Sequence, residues 1–155
     1  MADVISFFKD FFTNPVMLSA LLAWGIAQTL KMPIDYFLHK RWNWSLLFSA
    51  GGMPSSHSAL VTATTLAIGI FDGVKSSTFA LAFVLSMIVI YDATGIRRQA
   101  GIHAQKINVM INELLAGHPL NEERLAEVLG HTPRQAVGGM GIGILCAILV
   151  WFLLR

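Results

Sequence analysis

The sequence predicts an all-α protein: a polytopic membrane helical bundle with about four transmembrane helices plus short interfacial amphipathic helices. Three observations carry this. Of 155 residues, 55% are apolar and only 13% charged, with a mean hydropathy of +0.63, whereas a soluble domain carries about 25% charged and about 45–50% apolar residues. Four apolar runs approach the roughly 20 residues that cross a bilayer as a helix. One substantial polar segment, 95–132, separates the last two runs. Such a composition excludes a disordered chain, a nucleic-acid-binding domain and an ordinary water-soluble enzyme, so nucleic acid is not an expected partner. The chain reads as a single membrane domain over 1–155.

The N-terminal residues mix Asp3, Lys9 and Asp10 with Phe7 and Phe8, without the basic region and small-residue cleavage site of a signal peptide. Val4 to Phe12 suits a short interfacial helix with Phe7, Phe8, Phe11 and Phe12 toward lipid. The first span is expected from Pro15 to Phe37, the second from Ser55 to Phe71, the third from Ser76 to Ala93 and the fourth from Pro133 to Leu154. The second and third are barely long enough to span. Between the third and fourth, Leu114, Leu115, Leu120, Leu125, Val128 and Leu129 alternate with Glu and Arg, which suits short amphipathic helices on the membrane surface. Cys146 lies in an apolar run and reads as a small buried hydrophobe. Four spans put both termini on one side. The opposite side then carries Lys40, Arg41, Arg97, Arg98, Lys106, Arg124 and Arg134, against Lys9, Lys75 and Arg155. This excess favours a cytoplasmic location for the two polar loops. Trp42 and Trp44 read as interfacial aromatics, and the small-residue helix faces allow a homodimer.

Ionisable groups inside an apolar span demand an explanation. Gln28, Lys31 and Asp35 are spaced by three and four and so share one helical face. Two explanations remain open: a polar stripe facing a site, with Lys31 supplying positive charge, or a Lys31–Asp35 ion pair near the interface. Further on, Gly51-Gly52-Met53-Pro54-Ser55-Ser56-His57-Ser58 leads directly into an apolar run. The glycines permit a tight turn, and Ser55 or Ser56 can cap the helix. A helix N-terminus offers unpaired N–H groups to an anion, with His57 in the first turn beside it. A second helix start follows at Gly130-His131-Thr132-Pro133-Arg134-Gln135, where Gln135 can reach an imidazole nitrogen of His131 and fix its tautomer. The glycines beyond it, including Gly139 and Gly143, read as a close-packing stripe. Last, Tyr91-Asp92-Ala93-Thr94-Gly95-Ile96-Arg97-Arg98 closes the third span, and Arg is the side chain suited to bidentate phosphate contacts. All these clusters fall on one membrane face.

Pro54-Ser55-Ser56-His57 resembles the P-S-G-H motif of the type 2 phosphatidic acid phosphatases, relatives of the vanadium haloperoxidases. His131 with Gln135 is similar to the H-x-x-x-D end of that superfamily's last motif. The joint pattern GGMPSSHSA, YDATGIRRQAG and LGHTPRQAVGG resembles the divergent branch, small bacterial and plant membrane proteins, over Gln28 to Gly143. The resemblance implies His131 as the nucleophile that forms a phosphohistidine and His57 as the general acid. It implies Ser55 and Ser56 as phosphate-cradling positions, and Lys31 as the first-motif lysine. It implies no metal and no cofactor, and the chain has no metal-ligand spacing such as HExxH. The chain departs from the family pattern in four places. Leu38 stands seven residues after Lys31, where the family has Arg. Ser56 replaces the central Gly, Gln135 replaces the orienting Asp, and Leu125 stands six residues before His131 in place of Arg. Arg97 or Arg98 is the expected replacement for that Arg, with Asp92 orienting a His or holding the arginines.

The expected activity is a metal-independent, membrane-embedded phosphatase acting on a lipid phosphate or diphosphate. The catalytic residues would be His131, His57, Gln135 and Asp92, and the phosphate-binding residues Lys31, Ser55, Ser56, Arg97 and Arg98. The alternative is a non-enzymatic binder or transporter of an anionic phospholipid that keeps the phosphate pocket. The expected location is the cell membrane, the expected partners lipid substrate and membrane lipids.

Overall fold

The computed structural model describes residues 2–40, 42–49, 51–114 and 130–155. Its order is α1 (Ala2–Thr13), α2 (Pro15–His39), a 3-10 turn (Trp44–Leu47), α3 (Ser56–Ile68) extended by a π-helical turn (Gly69–Gly73), α4 (Ser77–Thr94), α5 (Ile96–Leu114) and α6 (Pro133–Leu154). The described residues form an all-α membrane bundle. Each expected span lies within a few residues of an observed helix, because the helix starts are written locally. Asn14 caps α2 by accepting from the Val16 and Met17 N–H groups. Ser55 caps α3, Ser76 caps α4 and Thr132 caps α6.

By length and composition, three described helical runs can cross a membrane: Pro15–His39, the run Ser77–Asn112 that contains α4, and Pro133–Leu154. The expected second span, Ser55 to Phe71, is realised as α3 with its π turn. Together these cover 56–73, roughly 27 Å of helix against a hydrocarbon core of about 30 Å. The reason is its position: α3 packs against α2, α4 and α6 at once, so it is sheathed by protein and does not itself set the bilayer-spanning length. The polar segment begins with one 19-residue helix, α5. The expectations for residues 115–129, including Leu115, Leu120, Arg124, Leu125, Val128 and Leu129, lie outside the described residues.

The centre of the bundle is built from small side chains. Ala23 and Ala27 of α2, Ala59 and Ala63 of α3, and Cys146 of α6 form the buried cluster, which places Cys146 as a core hydrophobe. Gly139 and Gly143 are where α6 meets α3. A Cβ on Gly139 would collide with the Ser55 carbonyl oxygen, and one on Gly143 would lie 2.6 Å from that of Ala59. Two helix backbones therefore touch directly, a contact possible only with glycine. Gly141, on the other face, has nothing within 4 Å.

Three further ties fix the bundle. In the middle of the α3–α4 interface, Thr65 Oγ1 lies 2.7 Å from Ser86 Oγ and donates to the Ala82 carbonyl, while Ser86 Oγ donates to Val61 O. On α2, Gln28 Nε2 donates to Leu47 O at 2.6 Å and Lys31 Nζ to Ser49 O at 2.8 Å. Those bonds hold the 44–49 turn against the helix. At its surface Trp42 stacks on Tyr36 at 4.7 Å, and Trp42, Trp44 and Phe48 are exposed, as interfacial aromatics are.

Gly139→Ala and Gly143→Ala should each lower the stability of the detergent-solubilised protein by about 1–3 kcal/mol, the range of overpacking. Gly141→Ala should leave it unchanged. Thermal unfolding of the three variants measures this, and equal effects at all three positions would contradict the direct backbone contact.

Candidate active site

The site is assembled by two helix starts and one helix end. Gly52, with φ +91°, turns the chain in a conformation that favours glycine and packs against the Lys31 side chain. Met53 and Pro54 then lie over Gly138 of α6. Ser55 starts α3, and its N–H donates to the Gln135 carbonyl at 3.0 Å. On the other side, the N–H of His131 donates to the carbonyl of Ala93, in the last turn of α4, at 2.9 Å. These two backbone bonds bring the start of α3, the start of α6 and the end of α4 to one place. There the His57 and His131 rings face each other with centroids 6.3 Å apart and planes tilted by 52°. His57 is exposed and His131 is 4% exposed, with its Nδ1 buried. The pair thus runs from the surface into the bundle. A group held between the rings would have one imidazole on its buried side and one on its open side.

Of the other expected residues, Lys31 lies on α2, Asp92 on α4, and Arg97 and Arg98 on α5. Asp92 is the neighbour of Ala93, whose carbonyl holds His131, and is half-buried. Lys31 is 0% exposed. It lines a cavity of about 140 Å³ together with Gly52, Met53 and Gln135, beneath the turn that leads to His57. The alternative Lys31–Asp35 ion pair gives way to a side-chain contact one helical turn further on: Asp35 Oδ1 lies 2.7 Å from His39 Nδ1. Arg98 is exposed on α5. The backbone of Arg97 lies in α5, and its side chain is outside the described part of the structure.

Gln135 and Ser55 are engaged in bonds within their own helix starts. Gln135 does not spend its oxygen on the His131 ring. Its Oε1 accepts from the Thr132 N–H at 2.8 Å while its own N–H donates to Thr132 Oγ1 at 3.4 Å. This is a capping box, the usual use of Gln at the third position of a helix begun by Thr. Gln135 therefore fixes the helix start that carries His131. Ser55 is likewise turned inward: its Oγ accepts from the Ser58 N–H at 3.2 Å and the Ser58 hydroxyl at 3.0 Å, and the residue is 0% exposed. Ser56 is 2% exposed. The first turn of α3 also carries backbone N–H groups, which no helix satisfies internally at its start.

Some of the groups that build the site carry no signal in the sequence. The carbonyls of Ser49, Ala93 and Gln135 are structural acceptors at the site or directly beneath it. Backbone acceptors are the same at every residue, so only topology reveals them. Ser58, the partner of the Ser55 cap, was recognisable from its place three residues after the cap.

The profile of the Divergent PAP2 family matches residues 12–146. A relative, the uncharacterized membrane protein YuiD of Bacillus subtilis (strain 168), is 38% identical over 152 residues, covering 91% of this chain and 96% of its own length. No solved structure matches the chain. The matched span takes in Lys31, both histidines, Gln135 and the glycines that join α3 to α6, and the chain belongs to the divergent PAP2 family.

Proposed function

We propose that this integral membrane protein is a phosphatase that hydrolyses a lipid phosphate or diphosphate through a phosphohistidine. The observation that carries the reading is the pairing of buried His131 with exposed His57 across 6.3 Å, at the starts of two helices. A nitrogen of His131 attacks phosphorus, and the bond from phosphorus to the lipid oxygen breaks with its electron pair. His57 gives its proton to that oxygen as it leaves. Water then attacks the phosphoryl group, the P–N bond returns its pair to His131, and His57 takes the water's proton. First-turn N–H groups, the positive ends of α3 and α6, and Lys31 supply positive potential to the phosphoryl oxygens. Arg98 and Arg97 complete the set from α5, and Asp92 steadies either a His or an Arg. The site faces the cytoplasm of the cell membrane, on the cation count above.

A second reading, a binder or transporter of anionic phospholipid, draws on Gln135. A neutral amide committed to a capping box supplies no charge to stabilise an imidazolium, which favours holding phosphate over transferring it.

Two experiments separate the readings. Detergent-purified protein presented with phosphatidate, phosphatidylglycerophosphate and polyprenyl phosphates and diphosphates should release inorganic phosphate from at least one. His131→Ala should then lower turnover by about a thousandfold or more, and His57→Ala by about 10²–10⁴. Binding of these lipids without release by the unmodified protein would favour the binder. Gln135→Ala should cost about 1 kcal/mol of stability. Gln135→Glu preserves the capping box and should fold normally with turnover within about threefold of the parent. A large gain in turnover from Gln135→Glu would instead assign position 135 to orienting His131.

A further inference from the structure

We infer that the slot between α4 and α6, floored by α3, holds the hydrocarbon chain of a lipid phosphate whose head lies between His57 and His131. The inference rests on the reading of that site as a phosphate site. The slot has a volume of about 600 Å³ and no charged residue in its lining. Polar ties fasten α4 to α3 and to α6 at two levels. The Thr65–Ser86 clasp holds it to α3 at mid-height, and the His131 N–H to Ala93 O bond holds its end to the start of α6. Between those ties α4 packs mainly on α3 and little on α6, which leaves Met140 and Ile144 of α6 facing Met87 and Ile90 of α4 across open space.

Three features fit one apolar chain. First, the slot follows α4 from Phe79 to Thr94, roughly 22 Å at the rise of a helix, most of the depth of the hydrocarbon core. Second, three of the five hydroxyl side chains on its walls are committed within the protein: Thr65 to Val61 O, Ala82 O and Ser86, Ser86 to Val61 O, and Thr94 to Ile90 O. The other two are Thr62 and Tyr91, and the rest of the lining is apolar, which suits a hydrocarbon chain. Third, the slot ends beside the residue that holds His131. Its upper end, at Tyr91 and Thr94, flanks the Ala93 carbonyl that holds His131. A chain lying along α4 therefore delivers its head group to the buried imidazole.

The test uses hexadecyl phosphate carrying a mid-chain diazirine, with the full-length protein in phosphatidylcholine nanodiscs. After irradiation, labelled residues should fall on the α4 and α6 walls around Met87, Ile90, Met140 and Ile144. Unlabelled hexadecyl phosphate should suppress that labelling, whereas hexadecane should not. Ile144→Trp should lower it by about tenfold, the low end of the penalty for overfilling a packed site. Leu145→Trp, on the neighbouring lipid-facing side of α6, should leave it within about twofold. If Ile144→Trp does not fold, Met87→Trp fills the slot from the other wall. Labels scattered over the outer faces of the bundle, or equal suppression by hexadecane, would overturn the slot. Phosphate release with scattered labels would overturn the slot and leave the phosphatase reading intact. Slot labelling without phosphate release from any lipid would uphold the slot and remove the phosphatase reading.

Discussion

Where α6 crosses α3, backbone meets backbone. Gly139 lies against the carbonyl of Ser55 and Gly143 against that of Ala59, with no room for even a methyl group at either position. Lipid chains are as apolar as leucine, so a membrane bundle gains little from burying hydrocarbon and must cohere by close packing and a few polar ties. The rest of the molecule depends on this contact. It allows the Ser55 N–H to reach the Gln135 carbonyl, which sets the start of α3 beside the start of α6, which in turn sets His57 opposite His131.

The same geometry accounts for the distribution of charge. A membrane protein with so few ionisable groups has no need of them for solubility, and the chain keeps several where helix ends meet. Lys31 is wholly buried, yet its ammonium is not stranded, because it donates to the Ser49 carbonyl below the turn that carries Gly52. Neighbouring helix starts add their own partial positive charge. The result is a cluster of positive groups where the starts of α3 and α6 and the end of α4 meet. A phosphate attached to a long chain suits that cluster, and the slot along α4 gives the chain a place to lie.

Much of this was legible before the fold was known, for a specific reason. Helix starts are encoded by one or two residues: Asn14-Pro15, Ser55, Ser76 and Thr132-Pro133 each announce a helix within its own sequence neighbourhood, so four helices were foreseen within a few residues. The glycine stripe of α6 announced a close approach, though not its partner. What escaped the sequence was the choice among competing local partners. Gln135 can bond an imidazole one turn back or the N–H of Thr132 at its own helix start. The capping box prevails because both of its bonds form between neighbours in sequence. Asp35 could pair with Lys31 or His39, and the 44–49 turn decided it by taking the lysine through a carbonyl. The surroundings of α3 were hidden for a related reason: an apolar run does not say whether lipid or protein surrounds it. The slot arises from how α4 leans on α3, a relation between helices far apart in sequence.

The central claim is that His131, buried at the junction of three helices, takes the phosphoryl group. The most direct measurement is to mix the protein with a radiolabelled lipid phosphate, quench in alkali within the first turnover, and locate the label by digestion and mass spectrometry. The account predicts a label on His131 that survives alkali, is lost in mild acid as a phosphoramidate is, and accumulates when His57 is replaced by Ala with a good leaving group on the substrate. A label on another residue, or full turnover with His131 replaced by Ala, would contradict it.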